Sequence, residues 1–180
     1  TGATHAAQKA FALSVATGDW VLSLDADERC SDELRVEIQR VLASAPADLD
    51  GYLIRFRTWA FGRRQRFGGR FAERHLRLFR RERARFPERA IHEGAEVDGR
   101  VARLSAPILH ETYATYDEFV EKVNRYSTLA ARDRFAAGKR FSPLSLLRWP
   151  WGFFKRYVLW LGLLDGWDGL VYAGLSATYD

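Results

Sequence analysis

The sequence predicts an α/β chain, a sheet flanked by helices and followed by an aromatic-rich helical stretch, and three observations carry that reading. An Ala-rich segment at helical spacing leads into an apolar run, Trp20 to Leu24, that stops abruptly in acids. A capped amphipathic segment follows at once. An alternating apolar and polar segment at residues 51–59 and a second strand near 75–80 come next.

Residues 3–16 place Phe11, Val15 and several alanines at helical spacing, with Gly18 as a stop, so a helix packed on a sheet is expected. Trp20 to Leu24 reads as a strand buried on both faces, the pattern of parallel strands covered by helices. Ser31 offers an N-cap, and Asp32 and Glu33 suit the positive end of a helix. Leu34, Ile38, Val41 and Leu42 make that helix's apolar face. Between Gly51 and Trp59, Tyr52, Ile54 and Phe56 oppose Leu53, Arg55 and Arg57, which marks a half-exposed strand. Gly62, Gly68 and Gly69 punctuate a loop before a further strand at His75 to Arg80. Thr115 and Glu118 form a capping box for a helix that carries Phe119, Val123, Tyr126 and Ala130 and ends near Gly138. The chain thus divides into residues 1–112, a sheet domain, and residues 113–180, a helical region.

The 180 residues, 47% hydrophobic and 28% charged, are enough to enclose one core and unlike a disordered tail. There is no methionine, and the first residue already lies in a helical pattern, so a piece of a longer chain is expected, with its first βα units upstream. A single cysteine, Cys30, excludes an intrachain disulfide framework and fits a reducing compartment. The longest apolar run, Tyr157 to Leu164, is far short of the roughly 20 residues that cross a bilayer. The net charge is +5, and thirteen arginines face three acids between Arg55 and Arg89, so an anionic partner is expected. Nucleic acid, a diphosphate and an acidic membrane surface all satisfy charge alone. The arginines interleave with Phe56, Trp59, Phe61, Phe67 and Phe71, as in single-strand binders, but that reading leaves the acids after Leu24 without a purpose. No nucleic acid is expected.

Those acids, in LDADE at Leu24 to Glu28, are the sharpest chemical signal. In open α/β sheets ligands sit at the carboxyl ends of strands, so acids there face a crevice. In extended backbone Asp25 and Asp27, two residues apart, share one side, as joint coordination of a hard cation requires. Mg2+ or Mn2+ suits such oxygen ligands and can bridge them to a diphosphate. The bland alternative is a turn that caps the next helix. Should both side chains point away from any cleft, or be locked into pairs with neighbouring arginines, the cation and diphosphate chemistry would lose its basis.

GDWVLSLDADE at Gly18 to Glu28 resembles the signature strand and DxD motif of family 2 glycosyltransferases, particularly the lipopolysaccharide core β-glucosyltransferase group. RLFRR at Arg77 to Arg81, IHEG at Ile91 to Gly94, ILHETY at Ile108 to Tyr113, NRYSTLAA at Asn124 to Ala131 and LDGWDG at Leu164 to Gly169 follow in the same order. The resemblance covers nearly the whole chain; Ala10 and Arg70 depart from the pattern. It implies a GT-A (Rossmann-like) nucleotide-sugar-binding fold, incomplete at the N-terminus, with residues 1–112 as a partial catalytic domain. The implied activity is inverting transfer of a hexose from a UDP-glucose-type donor to a saccharide or lipid-linked acceptor. Asp25 and Asp27 would hold the metal and the diphosphate. Glu93 is the candidate general base for the acceptor hydroxyl, His92 a ligand of metal or diphosphate, and Arg77 a phosphate contact. Arg80 and Arg81 are weaker phosphate candidates, and His110 is expected to be structural.

From Phe141 onward, Trp149, Trp151, Phe153, Phe154, Tyr157 and Trp160 mix with Arg148, Lys155 and Arg156. Rings at headgroup level and cations toward anionic lipid suit a helical segment lying in a membrane interface, so peripheral contact at the cytoplasmic face of the inner membrane is expected. The competing expectations are a lid that buries these rings and a basic membrane-surface adaptor with a degenerate transferase site.

Overall fold

The computed structural model describes residues 5–69, 73–87, 94–140 and 142–179 and is a mixed α/β structure. It comprises two compact units, Thr1–Phe56 with Glu73–Leu109, and Arg57–Ala72 with His110–Asp180.

In the first unit, helix α1 spans His5–Val15, strand β1 Trp20–Leu22, strand β2 Glu28–Cys30 and helix α2 Asp32–Leu42. Strand β3, Leu49–Ala60, starts here and runs on into the second unit, where β4, Arg63–Gln65, returns along it. Strands β5 (Arg74–Arg80), β6 (Ala84–Arg85), β7 (Glu96–Val97) and β8 (Arg100–Arg103) follow, and β9 is Ile108–Tyr113. The main sheet runs in the order β1-β5-β3-β9-β2. β5 lies antiparallel between β1 and β3, β8 pairs parallel with the start of β3, and β6 pairs with β7.

The core forms because β3 alternates as its sequence requires. Tyr52, Ile54 and Phe56 are buried on one face and meet Leu34 of α2, Leu78 of β5, Leu104 and Ile108. α2 lies over that face through Ile38, Val41 and Leu42. Its start is fixed by Ser31, whose Oγ accepts the Leu34 N–H at 3.1 Å and donates to the Pro107 carbonyl at 2.8 Å.

Two expectations are corrected. β1 is half-buried and antiparallel to its neighbour, not a parallel strand buried on both faces. Its apolar run signals one covered face, on which Trp20 packs against Tyr52 at 5.7 Å between centroids. In α1 Ala6 is buried, while Phe11 and Val15, expected to face the sheet, are exposed.

In the second unit the glycine-marked loop contains a hairpin. Phe61 and Gly62 join β3 to β4 with φ of 56° and 71°, the two positive values that a tight two-residue turn requires. Helix α3, Tyr116–Ala136, starts as its capping residues predict: Thr115 Oγ1 accepts the Glu118 N–H at 3.2 Å, and Glu118 accepts the Ala114 N–H at 2.8 Å. The aromatic residues Phe61, Tyr113, Tyr116, Phe119 and Tyr172 pack around its first turns.

Helix α4, Arg148–Phe154, continues through a wider turn at Lys155–Leu159, and a short turn at Gly162–Asp165 leads into α5, Gly166–Ser176. A Cβ on Gly169 would lie 1.9 Å from the Gly162 carbonyl oxygen, so only glycine allows that approach. No helix among the described residues is long and apolar enough to cross a membrane.

Candidate functional site

The LDADE acids sit in the first unit, on a turn between β1 and β2. Ser23 still donates to the Arg77 carbonyl at 2.8 Å, after which the chain leaves the sheet. Glu28 N–H donates to the Asp25 carbonyl at 3.0 Å, and Asp25 N–H donates to the Glu28 carboxylate at 3.0 Å. Residues 25–28 therefore form a closed turn, not the extended backbone expected, and strand alternation does not set the side chains of Asp25 and Asp27. Residue 28 satisfies both backbone groups of residue 25, and this reverses the chain.

The turn is clamped by cations. Asp25 Oδ1 meets Lys9 Nζ of α1 at 2.7 Å, and Oδ2 meets Arg77 Nη2 of β5 at 2.9 Å. The same Arg77 nitrogen donates to Glu28, whose side chain is 2% exposed. Arg77 itself is mostly buried, with its guanidinium 5.4 Å from the Phe56 ring centre. Burial alone would raise the Asp25 pKa, but the Lys9 contact and the Arg77 charge overcome it and hold the carboxyl at about 2, below its ordinary 3.8. Asp27, by contrast, is exposed at the third position of the turn.

These contacts bear directly on a divalent cation. Hard oxygen donors at a solvent-facing turn are of the right kind. Asp27 is an exposed oxygen donor of that kind. Asp25 carries a cationic side chain on each oxygen, the arrangement that counts against a shared metal.

Of the other sequence candidates, Glu93 and His92 lie outside the described residues. Arg80 donates to the Leu49 carbonyl at 3.0 Å and stacks on Trp20 at 4.7 Å, and Arg81 donates to the Gly18 carbonyl at 3.1 Å; both tie backbone together. Lys9 was missed by sequence reasoning. Its signal is slight, one lysine in an Ala-rich helix, since its carboxylate partner stands sixteen positions away in sequence.

In the second unit, Trp149, Trp151, Phe154 and Trp160 are exposed, and Leu146, Leu147 and Trp167 extend the apolar surface. Arg156 departs from expectation. It is buried and donates to the Gly152 carbonyl at 3.2 Å, so it offers no charge to a surface.

No protein-family model matches the chain. Whole-protein relatives do. The lipopolysaccharide core biosynthesis glycosyltransferase LpsC of Rhizobium meliloti is 32% identical over 184 residues, covering 97% of this chain and 68% of that protein. Uncharacterized glycosyltransferases of Rickettsia typhi and Rickettsia felis are 31% and 28% identical, each over 93% of this chain. The chain spans only 61% and 63% of their lengths. With 32% identity across nearly all of its residues, the chain belongs to the glycosyltransferase family that includes LpsC.

Proposed function

We infer that this chain is the larger part of an inverting, GT-A-type family 2 glycosyltransferase that moves a hexose from a UDP-glucose-type donor to a saccharide or lipid-linked acceptor in lipopolysaccharide core synthesis. The observation that carries the reading is the acid turn, with Asp27 exposed beside an Asp25 held ionised by Lys9 and Arg77. The exposed Asp27 supplies an oxygen donor for a cation, and Lys9 and Arg77 bring positive charge for a diphosphate to the same turn.

Asp27, joined by Asp25 if Lys9 swings away, would hold Mg2+ or Mn2+, which when bound neutralises charge on the leaving diphosphate. Lys9 and Arg77 add positive charge where that diphosphate departs, and Arg77 also fixes the turn through Glu28. Glu93 takes the proton of the acceptor hydroxyl as its oxygen attacks the anomeric carbon. The bond from that carbon to the diphosphate oxygen breaks, and the diphosphate leaves with the electron pair. His92 is the further ligand of metal or diphosphate. The exposed rings of the second unit, with Arg148 and Lys155 among them, support peripheral contact with the cytoplasmic face of the inner membrane. The relatives lend no support to an adaptor with a degenerate site.

The test is donor binding, in a chain extended to the length of the relatives, with UDP-sugars and Mn2+ or Mg2+. Binding is expected to need the metal and to weaken by about a hundredfold or more in Asp27→Ala. Tight binding without metal that survives the substitution would sink the assignment.

A further inference from the structure

The second unit holds a polar pocket that transfer at the acid turn leaves unused. It is lined by the hairpin residues Arg63 to Phe67 and by Leu164, Asp165 and Asp168 of LDGWDG. Asp165 is committed to the fold, since its carboxylate accepts the backbone N–H groups of Arg66 at 3.1 Å and Phe67 at 2.9 Å. Asp168 is not. It is 5% exposed and takes the Tyr116 hydroxyl on Oδ1, but its buried Oδ2 accepts no hydrogen bond among the described residues. Arg63 Nε pairs with that oxygen at 3.8 Å, an ion pair too long to be a hydrogen bond.

A buried carboxylate oxygen without a donor is costly, so the pocket favours a ligand that brings one. A hydroxyl does so. Arg63, Arg64 and Arg66 line the same pocket and are exposed, and three guanidinium groups against two carboxylates leave a net positive charge. Planar guanidinium forks match the oxygens of phosphate and carboxylate. One molecule that carries both hydroxyl donors and an anionic group is an acidic sugar.

We propose that this pocket binds an acidic saccharide, a sugar bearing phosphate or carboxylate: Arg63 turns from Asp168 Oδ2 to the anionic group, which Arg66 also meets, and a sugar hydroxyl donates to the oxygen so uncovered. Assigning that saccharide to the acceptor rests on the transfer reading above; the binding itself does not. A neutral sugar would leave the arginines unused, and a bare anion would leave Asp168 unmet.

The test is calorimetric titration of the full chain with glucose 6-phosphate, glucuronate, glucose and inorganic phosphate. The two acidic sugars are expected to bind about tenfold or more tightly than glucose or phosphate. Arg66→Gln, on an exposed side chain, should lower that affinity several-fold while thermal unfolding stays unchanged, and adding Arg63→Gln should bring the loss to about tenfold. Asp168→Asn should weaken the sugars and leave phosphate as it was. No binding, equal affinity for phosphate and acidic sugars, or arginine variants that bind like the parent would each overturn the proposal. Metal-dependent UDP binding measured on the same samples separates the two readings. If UDP binds and the acidic sugars do not, only the pocket assignment falls; the reverse result leaves a saccharide pocket without a transferase site.

Discussion

In the first unit, charged groups beside the core are matched to one another, Arg77 between Asp25 and Glu28, while Leu34, Ile54 and Leu78 are enclosed. In the second unit, Trp151 and Trp167 are 58% and 67% exposed, whereas Asp168 and Ser176 are buried. The first arrangement closes within its own unit except at Arg77 Nε, which is buried and donates no hydrogen bond among the described residues. The second keeps apolar area in water and polar atoms out of it, a costly distribution unless the surface meets a further phase or ligand.

Arg77→Ala strikes the first arrangement hardest. It takes the cation from the buried Glu28 carboxylate, which keeps the Asp25 N–H, and a loss of about 3–5 kcal/mol is expected, read from the urea midpoint. A loss below about 1 kcal/mol would show a pairing no stronger than a surface ion pair and erase the contrast between the units.

Acid titration gives a smaller effect. The Asp25 pKa is depressed in the folded chain, so its contribution is present above 3.8 and is lost as the pH falls toward about 2. Asp25→Asn should flatten the stability curve in that window, followed by thermal unfolding. A variant curve parallel to the parent's would mean that the Lys9 and Arg77 contacts do not persist in solution.

The least change in stability, within about 0.5 kcal/mol, is expected for Trp167→Ser. The same substitution should reduce co-sedimentation with vesicles rich in anionic lipid. Equal sedimentation of parent and variant would remove Trp167 from the membrane-facing surface and sharpen the contrast to the rings of α4.

What the sequence made legible follows physical range. Ser31 and Thr115 mark helix starts because a cap is satisfied within three residues, and β3 was readable because alternation is local. The acid turn was located correctly, but its backbone was not, since the closing bonds between residues 25 and 28 compete with an extended path that the sequence allows equally. Lys9 and Arg77 reach Asp25 from sixteen residues before and fifty-two after, and no periodicity reports such meetings. The Phe61-Gly62 hairpin escaped because phenylalanine rarely takes positive φ. LDGWDG was visible as a motif, yet its division of labour, one acid holding the hairpin amides and the other buried with one oxygen lacking a hydrogen bond, depends on residues some fifty to a hundred positions distant.

Ser31 carries one further implication. Aspartate is as good a helix starter as serine in general, because either can receive an amide hydrogen. At position 31 the side chain must also give a proton away, to the carbonyl of Pro107, and an ionised carboxylate has none to give. Functional relatives are therefore expected to tolerate threonine here and to reject aspartate, a distinction that helix statistics alone would never draw.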